Sequence, residues 1–121
     1  MQRLSSLAVA LVLLLGGAGA ALAHAHLARA QPAANSTVKT APTALTLWFS
    51  EALEPGFCTV QVTDASGGRV DGEAATVDPA DPKILRVALK PLAAGSYQIA
   101  WRVVSVDSHT TNGTFAFRVA P

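Results

Sequence analysis

Apolar and polar positions alternate with a period of two through most of this chain. Residues 44–49 place Leu45, Leu47 and Phe49 on one face. Residues 57–63 repeat the pattern, with Cys58, Val60 and Val62 facing one way and Thr59, Gln61 and Thr63 the other. Residues 84–89 set Leu85, Val87 and Leu89 against Arg86 and Ala88. The clearest run carries Tyr97, Ile99, Trp101 and Val103 on one side and Gln98, Ala100 and Arg102 on the other. The last run, 114–119, turns Phe115, Phe117 and Val119 inward. This period is the mark of half-buried strands. Between the runs stand turn signals: Asp64-Ala65-Ser66-Gly67-Gly68, then Arg69-Val70 opening a return strand, and residues 91–95. Asp78-Pro79-Ala80-Asp81-Pro82 reads as loop, because its two prolines donate no ladder hydrogen bond. About seven short strands and no helical periodicity predict an all-β domain, a small β-sandwich or Greek-key barrel. Trp48, Trp101, Phe115 and Phe117 are expected to carry much of its core.

The pattern changes before residue 24. Arg3, the apolar run 7–15, the glycine-rich stretch 16–20 and Ala21-Leu22-Ala23 have the three-part form of a secretory leader with an A-x-A cleavage site. The apolar run is short of the roughly 20 residues a membrane span needs. Residues 1–23 are therefore expected to be a cleaved signal peptide and 24–121 one small exported domain. A second A-x-A, Ala23-His24-Ala25, would expose His26 instead. No other apolar stretch is long enough to span a membrane. Loss of Arg3 from nine Lys and Arg leaves the domain even with its eight Asp and Glu, and no basic run points to nucleic acid.

Sulfur chemistry is sparse. A single cysteine, Cys58, excludes an internal disulfide, and its place in the alternation makes it a buried small hydrophobe. The only methionine is Met1, which leaves with the leader, so the domain has no thioether site for Cu(I).

Cleavage after Ala23 leaves His24 as first residue, with an α-amine and an imidazole that can chelate one ion. The one histidine far from this start is His109, in Asp107-Ser108-His109. In an extended segment, residues two apart point to the same side. Asp107 and His109 would then add an oxygen and a nitrogen, giving three nitrogens and one oxygen. Cu(II) prefers a tetragonal set of such donors, whereas Zn(II) takes them in a tetrahedron. His26 reads as a free, exposed histidine.

The chain resembles the CopC family of periplasmic copper-binding proteins. The likeness begins at His24-Ala25-His26-Leu27, a start that in relatives has the histidine as first residue and so favours the cut after Ala23 over the one after Ala25, and continues through Leu47-Trp48-Phe49-Ser50-Glu51. It is strongest along the G-x-Y-x-x-x-W-R-x-x-S-x-D-x-H string from Gly95 to His109, and ends in Gly113-Thr114-Phe115-Ala116-Phe117. The resemblance implies a cupredoxin-like, immunoglobulin-like Greek-key β-sandwich in the periplasm or cell exterior that binds one Cu(II) per chain. Its implied ligands are His24, Asp107 and His109, with Glu51 near the ion to orient a ligand. It also implies sequestration, resistance or delivery to a membrane copper transporter of the CopD type, without enzymatic activity. Two departures stand out: Thr110 follows the histidine where relatives commonly carry proline, and the methionine-rich Cu(I) site of some members has no counterpart. Two other readings remain: a copper-dependent oxidative enzyme using the N-terminal histidine chelate, and a metal-free immunoglobulin-like interaction module.

Overall fold

A computed structural model describes residues 24–121; the expected leader, 1–23, lies outside the described residues. Eight strands form two sheets among these residues. They are β1 (Leu27–Gln31), β2 (Thr37–Val38), β3 (Ala44–Phe49), β4 (Thr59–Asp64), β5 (Thr76–Val77), β6 (Ile84–Ala88), β7 (Gly95–Val104) and β8 (Thr110–Val119). One sheet has the order β1-β3-β6-β5 and the other β2-β8-β7-β4. All pairings are antiparallel except β2 with β8. No helix among the described residues is long and apolar enough to cross a membrane.

The two inner faces build the core, and the alternating positions supply it. Leu45, Leu47 and Phe49 from β3 and Leu85 and Val87 from β6 meet Val60 and Val62 from β4 and Tyr97, Ile99, Trp101 and Val103 from β7. Cys58, just ahead of β4, is buried with them. Fully burying an aliphatic or aromatic side chain of this size is worth about 1.5–3 kcal/mol, so this layer is the main source of stability. Phe49 and Trp101 meet edge to face with centroids 5.1 Å apart, and Tyr97 stacks on Phe117 at 5.5 Å. Gly113 stands opposite Trp101 in the β7–β8 ladder, and the indole lies over it. A Cβ at position 113 would fall 2.6 Å from an indole carbon.

The structure corrects several expectations. Trp48 is not a core residue: period two puts it on the outer face of β3, where Arg29 lies 4.4 Å over its ring as a cation–π partner. Phe115 is only partly buried. The last strand starts at Thr110 rather than 114, making β7 and β8 a ten-residue hairpin arm each. Arg69 forms only an isolated bridge with Thr63, so no return strand develops there. The segment from Asp64 to Gly68 is the expected turn: the Asp64 carboxylate accepts the amides of Ser66 and Gly68 at 3.0 and 2.8 Å. Close by, Asp71 accepts Arg69 at 2.7 Å and the Val62 amide at 3.0 Å.

Three segments meet at one end of the sandwich: the arm 24–26 leading into β1, the stretch after β3, and the β7–β8 turn. The middle segment ties the others together. Leu53 bridges Ser105, the Glu54 amide donates to the Val104 carbonyl at 2.8 Å, and the Val106 amide donates to the Ala52 carbonyl at 3.0 Å.

Candidate metal centre

The β7–β8 turn is not extended. Val106 and Asp107 are in a turn and Ser108 takes a positive φ of 71°, which reverses the chain between the two expected ligands. The reversal still brings them together: His109 Nδ1 lies 3.1 Å from Asp107 Oδ2. The other carboxylate oxygen, Oδ1, accepts the hydroxyl of Ser105. That Ser105 bond is the main cause holding the Asp107 carboxyl below the usual carboxylate range; desolvation opposes it, and the contacts with His109 add to the lowering. Asp107 is thus an anion with a fixed orientation, and His109 is exposed beside it.

Ser105, the serine of the G-x-Y-x-x-x-W-R-x-x-S-x-D-x-H string, is a fully buried polar residue to which the sequence pattern assigns no role. Its amide donates to the His109 carbonyl at 2.9 Å, its hydroxyl lies 3.2 Å from the same oxygen, and its carbonyl accepts the Ser108 amide at 2.8 Å. One residue at the end of β7 therefore closes the turn and aims the carboxylate.

The arm arrives from the opposite sheet. Ala25 is fully buried, so its neighbours His24 and His26 alternate outward; His24 is half-buried and His26 exposed. The His24 ring reaches the turn, with its centroid 4.8 Å from that of His109 and the planes inclined at 56°. Three backbone contacts hold the arm. The Ser50 amide donates to the His26 carbonyl at 2.9 Å, the His26 amide donates to Ser50 Oγ at 2.8 Å, and the Thr111 hydroxyl donates to the Ala25 carbonyl at 2.7 Å. Glu51 is exposed, and the contact to the arm at this point comes from its neighbour Ser50. Ser50 and Thr111 carry no chemical signature of their own, so the sequence did not mark them. Cys58 is not part of this cluster: its thiol faces the Glu54 carbonyl at 3.6 Å, and burial pushes its pKa up.

The Asp107–His109 pair is spaced as two donors to one small ion would be. Two atoms bound at about 2.0–2.1 Å and at right angles stand about 2.9 Å apart, close to the 3.1 Å between Asp107 and His109. The His24 ring lies near enough to turn a nitrogen to the same point. Among the described residues no three His, Cys, Asp or Glu side chains converge as they stand. The set reaches four donors only by adding the backbone nitrogen of His24, which becomes an amine when residue 24 is first.

Residues 27–120 match the family described as the CopC domain. Protein YobA of Escherichia coli strain K12 is 43% identical over 98 residues, which cover 80% of this chain and 79% of that protein. Among solved structures, CopC from Methylosinus trichosporium OB3b superposes with a TM-score of 0.76 at 33% identity, covering 81% of this chain and 95% of that one. PcoC, a methionine-rich copper resistance protein from Escherichia coli, gives 0.68 at 38% identity, covering 80% of this chain and 99% of that one.

Proposed function

From the premise that this chain belongs to the CopC family of copper resistance proteins, with its cupredoxin-like β-sandwich, we propose that it holds one Cu(II) per chain between the N-terminal arm and the β7–β8 turn. The ligands are the amine and imidazole of His24, the Asp107 carboxylate and the His109 imidazole. Glu51, one residue beyond Ser50, orients a ligand from outside that set. The observation that carries the reading is the meeting of His24 with the Asp107–His109 pair, 4.8 Å between rings and 3.1 Å within the pair. Nothing in the hydrophobic pattern requires two imidazoles and a carboxylate from opposite ends of the chain to share one exposed spot.

Three nitrogens and one anionic oxygen suit the tetragonal preference of Cu(II). Asp107 supplies a negative charge that Ser105 keeps pointed and deprotonated. Four protein donors fill a square plane, which makes the role binding rather than catalysis. The absence of methionine beyond Met1 and the buried thiol of Cys58 leave no soft donors for Cu(I). The biological role is sequestration, resistance or transfer to a membrane copper transporter of the CopD type, outside the cytoplasm, after removal of residues 1–23.

The test is the free amine. A domain starting at His24 is compared in chelator competition with one starting Met-His24, which keeps the imidazole but moves the amine one residue away. The expected loss of Cu(II) affinity is at least about tenfold, near 1.4 kcal/mol. Equal affinities would remove the N-terminal chelate from the site.

A further inference from the structure

Chain ends are usually poorly ordered unless something ties them down. Here the β1–β3 ladder ends at Leu27, where its register has just shifted by a residue. Residues 24–26 therefore need other anchors, and they have four. The Ala25 methyl fills a fully buried slot in the core. The Ser50 amide takes the His26 carbonyl at 2.9 Å. Ser50 Oγ accepts the His26 amide at 2.8 Å and points its own proton toward the His24 carbonyl, 3.4 Å away. Thr111 Oγ1 donates to the Ala25 carbonyl at 2.7 Å, between groups 86 positions apart in the chain.

These two hydroxyls sit on the elements that carry the rest of the site. Thr111 lies two residues beyond His109 on β8 and pairs with Val103. Ser50 lies at the end of β3, just before the stretch that bridges the ligand turn through Leu53 and Ala52. The hydrogen bonds thus tie the arm that carries His24 to the elements that carry the Asp107–His109 pair. Ordering an arm in advance removes the ordering cost from the binding step.

Resting on the copper reading above, we infer that Ser50 and Thr111 are positioning residues for the ion: they clamp the 24–26 arm against the ligand turn and set how long copper stays bound. Neither touches copper. Loss of a clamp bond lets the arm lift, taking the amine and one imidazole with it while Asp107 and His109 stay in place.

The experiment measures Cu(II) release into excess chelator by stopped flow, and nitrogen couplings by electron paramagnetic resonance, on the domain beginning at His24. Thr111→Val keeps the shape and deletes the donor; release should speed up by about tenfold, the scale of one lost hydrogen bond, with weakened or heterogeneous couplings. Thr111→Ser should restore both. Ser50→Ala, at an exposed position that keeps its backbone bond, should give about threefold. If Thr111→Val does not fold, Ser50→Ala carries the test alone. The same variants are repeated in the Met-His24 protein carrying His24→Ala, where the arm offers neither its amine nor its imidazole; their effects should there shrink to less than about twofold, as coupled residues do in a double-mutant cycle. Equal acceleration in both backgrounds would mean that the hydroxyls only support the fold, and would overturn the clamp. Wild-type release from Thr111→Val and Ser50→Ala, alongside a large loss in His24→Ala, would also sink the clamp while leaving the copper reading intact. Wild-type release from His24→Ala would sink the copper reading itself.

Discussion

Asp64, the last residue of β4, and Asp107, just past β7, each sit in a tight turn at a strand end of the same sheet, and each carboxyl is held below the usual carboxylate range. Their surroundings differ. At Asp64 a single oxygen, Oδ1, accepts the Ser66 amide, the Ser66 hydroxyl and the Gly68 amide. The turn spends its charge on its own backbone. At Asp107 one oxygen goes to Ser105 and the other faces an imidazole 3.1 Å away. That second oxygen has only the exposed imidazole of His109 beside it. A related division holds for Asp71, whose carboxylate is committed to Arg69 and the Val62 amide. Acidic residues near the β4 end thus serve the fold, and the one on the β7–β8 turn is left facing outward beside a histidine. The lesson is that a carboxylate becomes a candidate ligand through what its second oxygen faces, not through its place in a turn.

The largest expected effect breaks the comparison from the ligand side. His109→Ala should reduce Cu(II) affinity at least about a hundredfold, near 2.7 kcal/mol, and Asp107→Asn less, since a neutral amide oxygen remains as a weaker donor. The double variant should fall short of the sum, because both residues act on one ion. Affinities from chelator competition test this; a wild-type value for His109→Ala would remove the turn from the site and leave copper only on the His24-Ala25-His26 segment.

A medium effect tests the other side. Arg69, by its hydrogen bonds, lowers the Asp71 carboxyl to about 2, from an unfolded value of about 3.9. A depressed folded pKa adds stability that is fully present above about pH 4 and lost as the pH falls through about 2. Asp71→Asn should therefore lower the thermal midpoint at neutral pH, with the gap to the wild type closing as pH falls through that window. Cu(II) affinity at neutral pH should stay unchanged. A gap independent of pH would mean that Asp71 acts by packing alone.

The smallest expected effect is the sharpest. Ser66→His writes a D-x-H triplet into the Asp64 turn, as Asp64-Ala65 followed by histidine. If the triplet alone made a site, a second tight Cu(II) would bind. The expected result by titration is one equivalent, as in the wild type, because no arm meets that turn and the Asp64 oxygen is occupied by backbone.

The strands with clean alternation were legible in the sequence because one face of each is apolar and the other is not: β3, β4, β6 and β7 fall within a residue or two of where the pattern puts them. The misses have causes. β8 begins with Thr110, Thr111 and Asn112, whose polar side chains hide a strand held by its ten-residue pairing with β7. β1 is masked by the shifted register between Leu27 and Arg29. Trp48 reads as core by its size and aromaticity, but parity decides its face and Arg29 covers it. At the site, residue types and spacing pointed to His24, Asp107 and His109; the structure sets Asp107 3.1 Å from His109 and the His24 ring 4.8 Å from the His109 ring, without the three converging on one point. The route differs from the expected extended strand: Ser108 turns the chain, and the buried Ser105 closes it. The roles of such hydroxyls are not legible in a linear sequence, because a serine that aims a neighbour has the same side chain as one that does nothing.

The fit of Trp101 over Gly113 has a consequence for how the chain can vary. The indole needs the space where a side chain at position 113 would start, 2.6 Å from its nearest ring atom. No single change at Gly113 is therefore open while Trp101 stays, and a smaller residue at 101 would leave a hole beneath Phe49. The two positions form a lock across the β7–β8 ladder that drift can open only by moving both at once. Among relatives, a residue larger than glycine opposite this tryptophan should be met only where the tryptophan has gone, and an alignment containing both together would show that the hairpin has another way to seat the ring.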